Sequence, residues 1–449
     1  MKSGPYPLCQ AAVLLAVVFA GSALRAASAP PPSVPDQLDL KTAVGFAVEN
    51  NFSIRQARER IRQQEGVVVE VRSLEIPTVA ASGLVQLNSN EISSSVPASN
   101  RTWTVNLTAS QVLYAGGGVR SSVKSSQLTR EAALLDLKSA INDALLSVRV
   151  AFFDVLLARE KIKVQEQNLA LLQEQLKTTT DRFDAGTVSA FEKLRAGVAL
   201  ANAQVPLITA RNDYRLAIEQ LRQALGFTSN TPENLRKVPD FIGSLDYTPA
   251  TYDLQAAFDA AHANRPDLQR LTLLAEAREQ SVTTARSDYY PNLALVGGWQ
   301  LRKGPTDSFG DSRDGLFVGL QSQWNIFDGR ATTGRVIQAR SALEQARLTV
   351  TETQLAVEVD VRNAYSSYQE ATELADASQK VVAQAEEAVR LATARYNAGT
   401  ATQLDVLQAQ VDLTTARTNQ VQAYYTYNVA IARLRKAMGL SDEFLTVTH

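Results

Sequence analysis

Apolar residues recur along this chain with two different periods, and each period occurs twice. From 119 to 185 and from 335 to 398 there is neither proline nor glycine, so the usual helix breakers are missing. In the first stretch Leu134, Ile141, Val148, Val155, Ile162, Leu169, Leu176 and Phe183 follow one another at intervals of seven. In the second, Val361, Tyr368, Ala375, Val382, Val389 and Tyr396 do the same, and a seam of mostly small residues (Val357, Ala364, Ala371, Ser378, Ala385, Ala392) runs four positions earlier. This is coiled-coil spacing, with small residues that let helices approach closely. It predicts helices over 119–183 and 332–396, each of 65 residues and about 98 Å long, beyond any ordinary globular domain. Shorter helices are predicted over 52–76 and 188–225, and over 266–290 and 401–438. In each half the two shorter helices can stack end to end and return along the long one.

Between these helices the period drops to two. Trp103, Val105, Leu107 and Ala109 alternate with Thr102, Thr104, Asn106, Thr108 and Ser110. Val79, Ala81, Val85 and Leu87 form one face of an earlier strand. Leu293, Leu295, Gly297, Trp299 and Leu301 form one face of a third, and Leu316, Val318, Leu320, Trp324 and Ile326 one face of a fourth, with Ser322 the exception. Two readings fit: a half-buried soluble sheet packed on a helix, or strands of a membrane barrel, apolar outward and wet inside. Each segment has about the ten residues of a tilted transmembrane strand. Trp103, Trp299 and Trp324, the three tryptophans of the chain, fall in these segments as candidates for a membrane girdle. Four strands cannot close a barrel, and an open edge in lipid leaves backbone groups unpaired. The barrel reading therefore requires an oligomer, eight strands as a dimer or twelve as a trimer.

The chain is also internally repeated. Asp39-Leu40-Lys41-Thr42-Ala43 matches Asp253-Leu254-Gln255-Ala256-Ala257 at an offset of 214, and Pro77 matches Pro291 at the same offset. Tyr114-Ala115-Gly116-Gly117 matches Phe327-Asp328-Gly329-Arg330 at 213, as do 182–187 with 395–400 and 224–226 with 437–439. An offset this steady marks a duplicated unit. The predicted organisation is a signal segment over 1–29, a first repeat over 30–227, a linker over 228–251 containing Pro232, Pro239 and Pro249, and a second repeat over 252–449.

The signal reading rests on Lys2, the apolar run from Leu8 to Ala20, and the small residues up to Ala29. The run is too short to span a bilayer as a helix. The only cysteine, Cys9, lies inside this segment, which leaves no disulfide and no thioether lipid anchor for the rest. Lys+Arg is 45 against Asp+Glu 46, a net charge of -1 that argues against a nucleic-acid partner. Two histidines, His262 and His449, leave no basis for a histidine-based triad, and neither a metal cluster nor a cofactor motif stands out. No catalytic residue is predicted, and the chain does not read as an enzyme.

Together these parts resemble the TolC-like outer-membrane efflux proteins, over about 38–440. The most specific element is Arg395-Tyr396-Asn397-Ala398-Gly399-Thr400 followed by Leu404-Asp405-Val406-Leu407, with a weaker counterpart at Arg182 to Gly186. The resemblance implies a mainly α protein with a transmembrane β-barrel part. It would be a homotrimer with a 12-stranded barrel in outer-membrane lipid and a helical tunnel in the periplasm. It implies a passive exit duct for efflux or type I secretion, joined by a periplasmic adaptor (a membrane fusion protein) to an inner-membrane pump. The adaptor would dock at the tips, Gly186 with Thr187 and Gly399 with Thr400. The periplasmic gate would involve Asp405, Glu192, Gln408 and Tyr396. Gln408 stands where some members have a second aspartate, and Ala401 where the best-known members have a gating arginine. The competing reading is an exported coiled-coil structural or adaptor-like protein without a pore, which accounts for the helices but not for the strands.

Overall fold

A computed structural model describes residues 35–87, 101–227, 237–303 and 312–444. The predicted signal segment lies outside them, as do residues 228–236 of the linker. Each half runs through the same series. The first contains β1 (Gln37–Leu38), α1 (Leu40–Asn50), α2 (Phe52–Arg72), β2 (Thr78–Leu87), β3 (Arg101–Ala115), α3 (Gly118–Asp184) and α4 (Ala190–Leu225). The second contains β4 (Asp240–Phe241), α5 (Leu254–Asn264), α6 (Pro266–Ser287), β5 (Asn292–Lys303), β6 (Arg313–Gln323), α7 (Ala331–Asn397) and α8 (Gln403–Ala437).

The two long helices, α3 and α7, each contain 67 residues, roughly 100 Å of rod. At one end of the rod α3 packs on α2 and α6, and α6 on α7; at the other α3 packs on α4 and α8, and α8 on α7. The shorter helices do stack end to end. Asn51, at the start of α2, donates from Nδ2 to the carbonyl of Ala224 near the end of α4, 2.7 Å away. A Cβ on Gly226 would lie 2.6 Å from the carbonyl oxygen of Asn50, and one on Gly439 2.8 Å from the amide of Arg265. Both glycines have positive φ, so they end the lower helix and let the upper one begin within contact distance.

Several elements differ from the pattern-based expectation. The helix expected over 52–76 ends at Arg72, and a 3₁₀ turn over Ser73–Glu75 follows. Pro77 forces Ile76 into an extended conformation, so the α-helix cannot run up to it. In the second half α6 likewise stops at Ser287, short of Pro291. Helices α1 and α5 are too short to stand out in the periodic pattern, although their N-caps are explicit. Asp39 Oδ1 accepts from the Thr42 amide at 2.9 Å and Asp253 Oδ2 from the Ala256 amide at 2.8 Å.

The described part of the inter-repeat segment is a packed belt. β4 pairs in parallel with β1. The Tyr427 hydroxyl donates to the carbonyl of Thr248 (2.7 Å) and accepts from the Ala250 amide (3.0 Å), and Tyr365 donates to the carbonyl of Tyr252 (3.2 Å). Phe241 and Leu245 enter a core with Val148, Phe152 and Val155 of α3 and Val44 and Ala47 of α1. A second core joins α5, the middle of α7 (Val357, Val361, Tyr368, Ala371) and the last turns of α8. Both cores lie at the waist of the rod, where the heptad seams are most deeply buried.

The strands form one antiparallel sheet in the order β2-β3-β5-β6, so the two halves meet at β3 and β5. The register places Val79, Ala81 and Val85 beside Ala109, Leu107 and Trp103, and carries the same face across Leu301, Trp299 and Leu295 to Leu316 and Leu320. The opposite face carries Thr102, Thr104, Asn106, Thr108, Gln300 and Gln321. β2 and β6 are the edges, exposed throughout. Among the described residues no helix is long and apolar enough to cross a membrane, which leaves this sheet as the element with membrane-strand dimensions.

Trp103 and Trp299 lie on the apolar face, four register positions apart. Trp324 was expected inside the fourth strand but lies one residue beyond β6. Its place in the ladder would be opposite Pro291, which has no amide to donate. The Trp324 indole instead donates to the carbonyl of Tyr289 at 3.1 Å.

Candidate functional site: the helical tips

The end of the rod away from the sheet consists of two turns, α3 to α4 and α7 to α8, with almost identical wiring. In the first, Gly186 donates to the Phe183 carbonyl (2.8 Å) and Thr187 to the Arg182 carbonyl (2.9 Å). In the second, Gly399 donates to Tyr396 (3.1 Å) and Thr400 to Arg395 (2.9 Å). Both are Schellman closures, and each glycine has φ +74°. An added Cβ at Gly186 or Gly399 would meet nothing within 4 Å. Backbone conformation alone explains these glycines, and the surface around them is open. Thr187 and Thr400 also bond from their hydroxyls to the Arg182 and Arg395 carbonyls.

The next helix starts on a side-chain cap in each case. Ser189 accepts from the Glu192 amide at 3.4 Å. Thr402 forms a full capping box: its hydroxyl accepts from the Asp405 amide (3.3 Å), and the Asp405 carboxylate accepts from the Thr402 amide (2.7 Å) and hydroxyl (2.8 Å). Those bonds hold the Asp405 carboxyl below the usual carboxylate range.

The four predicted gate residues fall into two groups. Tyr396 and Glu192 come together, with the phenol hydroxyl donating to Glu192 Oε2 at 3.4 Å. Burial, and next the Glu192 carboxylate, push the Tyr396 phenol up. Asp405 and Gln408 stay apart from that pair on the exposed side of α8, where Gln408 donates to Asp412 at 2.9 Å.

Four residues outside the predicted gate, Arg182, Asn397, Gln403 and Thr179, complete the contact between the two hairpins. Arg182 of α3 donates to Asn397 Oδ1 (2.8 Å), and its guanidinium lies 4.9 Å from the Tyr396 ring centroid. Gln403 is buried and donates to Thr179 Oγ1 (3.4 Å) and the Glu192 carbonyl (3.2 Å). The tips are thus interlocked by polar contacts along Arg182–Tyr396–Glu192–Gln403. Spacing held a signal for Gln403: it lies seven residues before Gln410, and both are buried at positions where α8 otherwise buries Val406, Leu407 and Leu413.

Among the described residues no group of histidine, cysteine or acidic side chains could hold a metal. The arrangement presents exposed carboxylates, a polar interlock and an open glycine turn. The family described as outer membrane efflux protein matches residues 44–227 and 257–440, one match per repeat. The chain is 25% identical over 442 residues to the outer membrane efflux protein BepC of Brucella suis biovar 1, covering 98% of this chain and 92% of that one. It is 26% identical to the cobalt-zinc-cadmium resistance protein CzcC of Cupriavidus metallidurans, covering 86% of each chain. Its fold matches the solved outer membrane protein VceC of Vibrio cholerae with a TM-score of 0.76 at 19% identity, covering 90% of this chain and 96% of that one.

Proposed function

Because the chain belongs to the outer membrane efflux protein family, we propose that it assembles as a homotrimer and acts as the passive exit duct of a tripartite efflux or type I secretion system. As a family member it is an outer-membrane channel protein with its helical part in the periplasm, and its relatives are channels rather than enzymes. The observation that carries the reading is the open sheet. β2 and β6 are both unpaired edges, and their directions are opposite because three antiparallel pairings separate them. An edge of one copy can therefore pair with the other edge of the next, and three copies make twelve strands with no open edge.

The helices support the same assembly. α4 has α3 as its main partner and α7 has α8, so α4 and α7 flank the lower rod. Both carry apolar residues that one chain leaves exposed: Leu194, Val198, Val205 and Ile208 on α4, and Leu374, Val381 and Leu391 on α7. An α4 to α7 contact between copies would bury them and close a twelve-helix tunnel.

In that tunnel the tips around Gly186, Thr187, Gly399 and Thr400 meet the hairpin of a periplasmic adaptor, which links the duct to an inner-membrane pump. The interlock of Tyr396 and Glu192 holds the closed end. Asp405, with Gln408 above it, repeats by symmetry as a ring of carboxylates favouring cations. Energy and cargo choice belong to the pump.

Planar-bilayer recording on protein purified from outer membranes tests the proposal. Trimers that conduct are expected. A chain recovered as a soluble monomer without conductance would return the reading to a non-channel coiled coil.

A further inference from the structure

Each repeat passes from its second strand into its long helix through two consecutive residues in the left-handed region. At the first junction both are glycines, Gly116 (φ +57°) and Gly117 (φ +83°); at the second they are Gly329 (φ +64°) and Arg330 (φ +72°). Arg330 is the one non-glycine residue with positive φ among the described residues. Its counterpart at the repeat offset, 330 − 213, is Gly117, where the backbone adopts this conformation freely. A side chain is kept at Arg330 against a conformational cost that glycine would remove.

Nothing in the described chain uses that side chain. Its guanidinium has no ion pair or hydrogen bond among the described residues, and the nearby carboxylates have other partners. Asp288 pairs with Arg335 at 3.0 Å, and Asp328 accepts from the Thr332 amide at 2.7 Å. The chain just before it carries apolar, open side chains: Trp324 is 56% exposed, Ile326 83% and Phe327 85%. The first repeat shows how much of this a neighbour covers. Tyr114, the counterpart of Phe327 at the same offset, pairs with Leu293 of its own chain and is still 47% exposed. A neighbouring copy pairing beyond β6 in the same way would leave a comparable part of Phe327 uncovered.

We propose that Arg330 and the apolar residues before it form a phospholipid headgroup site at the periplasmic face of the outer membrane. This rests on the barrel reading above. The junction sits where the strands end and the periplasmic helices begin, so the lipid within reach belongs to the periplasmic leaflet. The planar guanidinium suits a phosphodiester, which it can engage through two parallel N–H donors. Trp324 and Phe327 provide the aromatic surface favoured at the membrane–water boundary, and Ile326 continues the apolar face of the sheet towards it. The first junction has glycine at the matching position, Gly117, and its nearest arginine, Arg120, lies three residues further on, inside α3, so the site is assigned to the second junction, once per protomer.

Native mass spectrometry tests this on trimers released from nanodiscs of phosphatidylethanolamine and phosphatidylglycerol. The parent protein should retain one phospholipid per protomer. Arg330→Gly should lose it while keeping trimer mass and conductance, and its thermal midpoint should not fall, because the strain is gone. Arg330→Asn, which tolerates the same backbone conformation, should also lose it, and Arg330→Lys should keep part. Undiminished retention in Arg330→Gly would overturn the site. Dissociation of Arg330→Gly into monomers would also overturn it, since the arginine would then be an assembly contact. A parent that neither trimerises nor conducts would count against the channel reading, independently of the lipid count.

Discussion

The waist of the rod and its tips are built from the same four long helices, yet they are held in opposite ways. At the waist α3 and α7 bury Val148, Phe152, Val155 and Val361 almost completely, and residues 237–252 wrap them through buried tyrosines and the β1–β4 pair. At the tips Gly186, Thr187, Gly399 and Thr400 are open to solvent or nearly so, and the two hairpins are joined there by hydrogen bonds and a cation-π contact beside one small apolar cluster of Leu172, Ala203 and Leu407. Apolar burial is strong and non-directional, whereas exposed polar contacts are individually weak and exchangeable with water. The waist therefore sets the fold, and the tips can rearrange without unfolding it.

The contrast breaks most visibly if the waist is hollowed. Phe152 is 1% exposed and meets Phe241 of the belt edge-on, with ring centroids 6.3 Å apart. Phe152→Ala should cost about 3–5 kcal/mol, measured as a lower denaturation midpoint of the assembled protein. Loss of the trimer signal on gels should accompany it.

The C-terminal segment gives the next largest effect. Arg149 of α3 binds Asp442 through two bonds (2.7 and 2.9 Å) and reaches Glu443 at 3.1 Å. This clasps the chain end to the first repeat. Burial raises the Asp442 carboxyl, but the bonds from Arg149 and the Phe444 amide outweigh it, so the group stays below the usual carboxylate range. The unfolded chain then binds its proton at higher pH than the folded one. The stabilisation is complete above the ordinary Asp value, about 4, and is lost as the pH falls through the lowered folded value. Arg149→Met leaves a carboxylate at 8% exposure without its partner and should cost about 3 kcal/mol near neutral pH. Stability measured against pH should also lose the part of its acid-side decline that Asp442 supplies, other lowered carboxyls such as Asp267 keeping the rest. A variant with the parent's acid profile would show that the clasp contributes nothing to it.

This contrast was only partly legible in the sequence. The long helices, the strands and the repeat follow from period and offset, because a seam every seven residues and an alternation every two have few structural solutions. The belt was not legible. The short helices beside it, α1 and α5, are announced by Asp39 and Asp253, but eleven residues each are too few for a strong periodic signal. Its straps depend on contacts such as Tyr427 with Thr248, 179 residues apart. At the tips the turn glycines and Tyr396 with Glu192 were readable through the family resemblance. The contacts of Arg182 were not, and Gln403 had only its spacing from Gln410 as a signal, because a polar residue on a helix is ordinarily solvated, and only packing shows which one is enclosed.

At the tips the expected effect on stability is small and the effect on conduction is not. Arg182→Ala removes the bond to Asn397 and the contact over the Tyr396 ring, both partly exposed, and should cost under about 1 kcal/mol. If the interlock holds the closed end, the same variant should raise single-channel conductance. An unchanged conductance would show that the tips are closed by something else.

The smallest effect should come from Asp405, and it separates two roles of one carboxylate. The capping box accounts for an acid at this position with no reference to a pore. Asp405→Asn retains an acceptor for the Thr402 amide and removes the charge. It should keep the helix start and lower the thermal midpoint only slightly, by the lost charge at the helix N-terminus, while the preference for cations over anions falls in bilayer recordings. Because its hydrogen bonds hold the Asp405 carboxyl below the usual range, the parent's preference should persist as the pH drops through the ordinary Asp value and fade only below it. A preference that survives Asp405→Asn would assign the residue to capping alone. It would also move the selectivity to other carboxylates on the exposed side of α8, with Asp412 the first to replace.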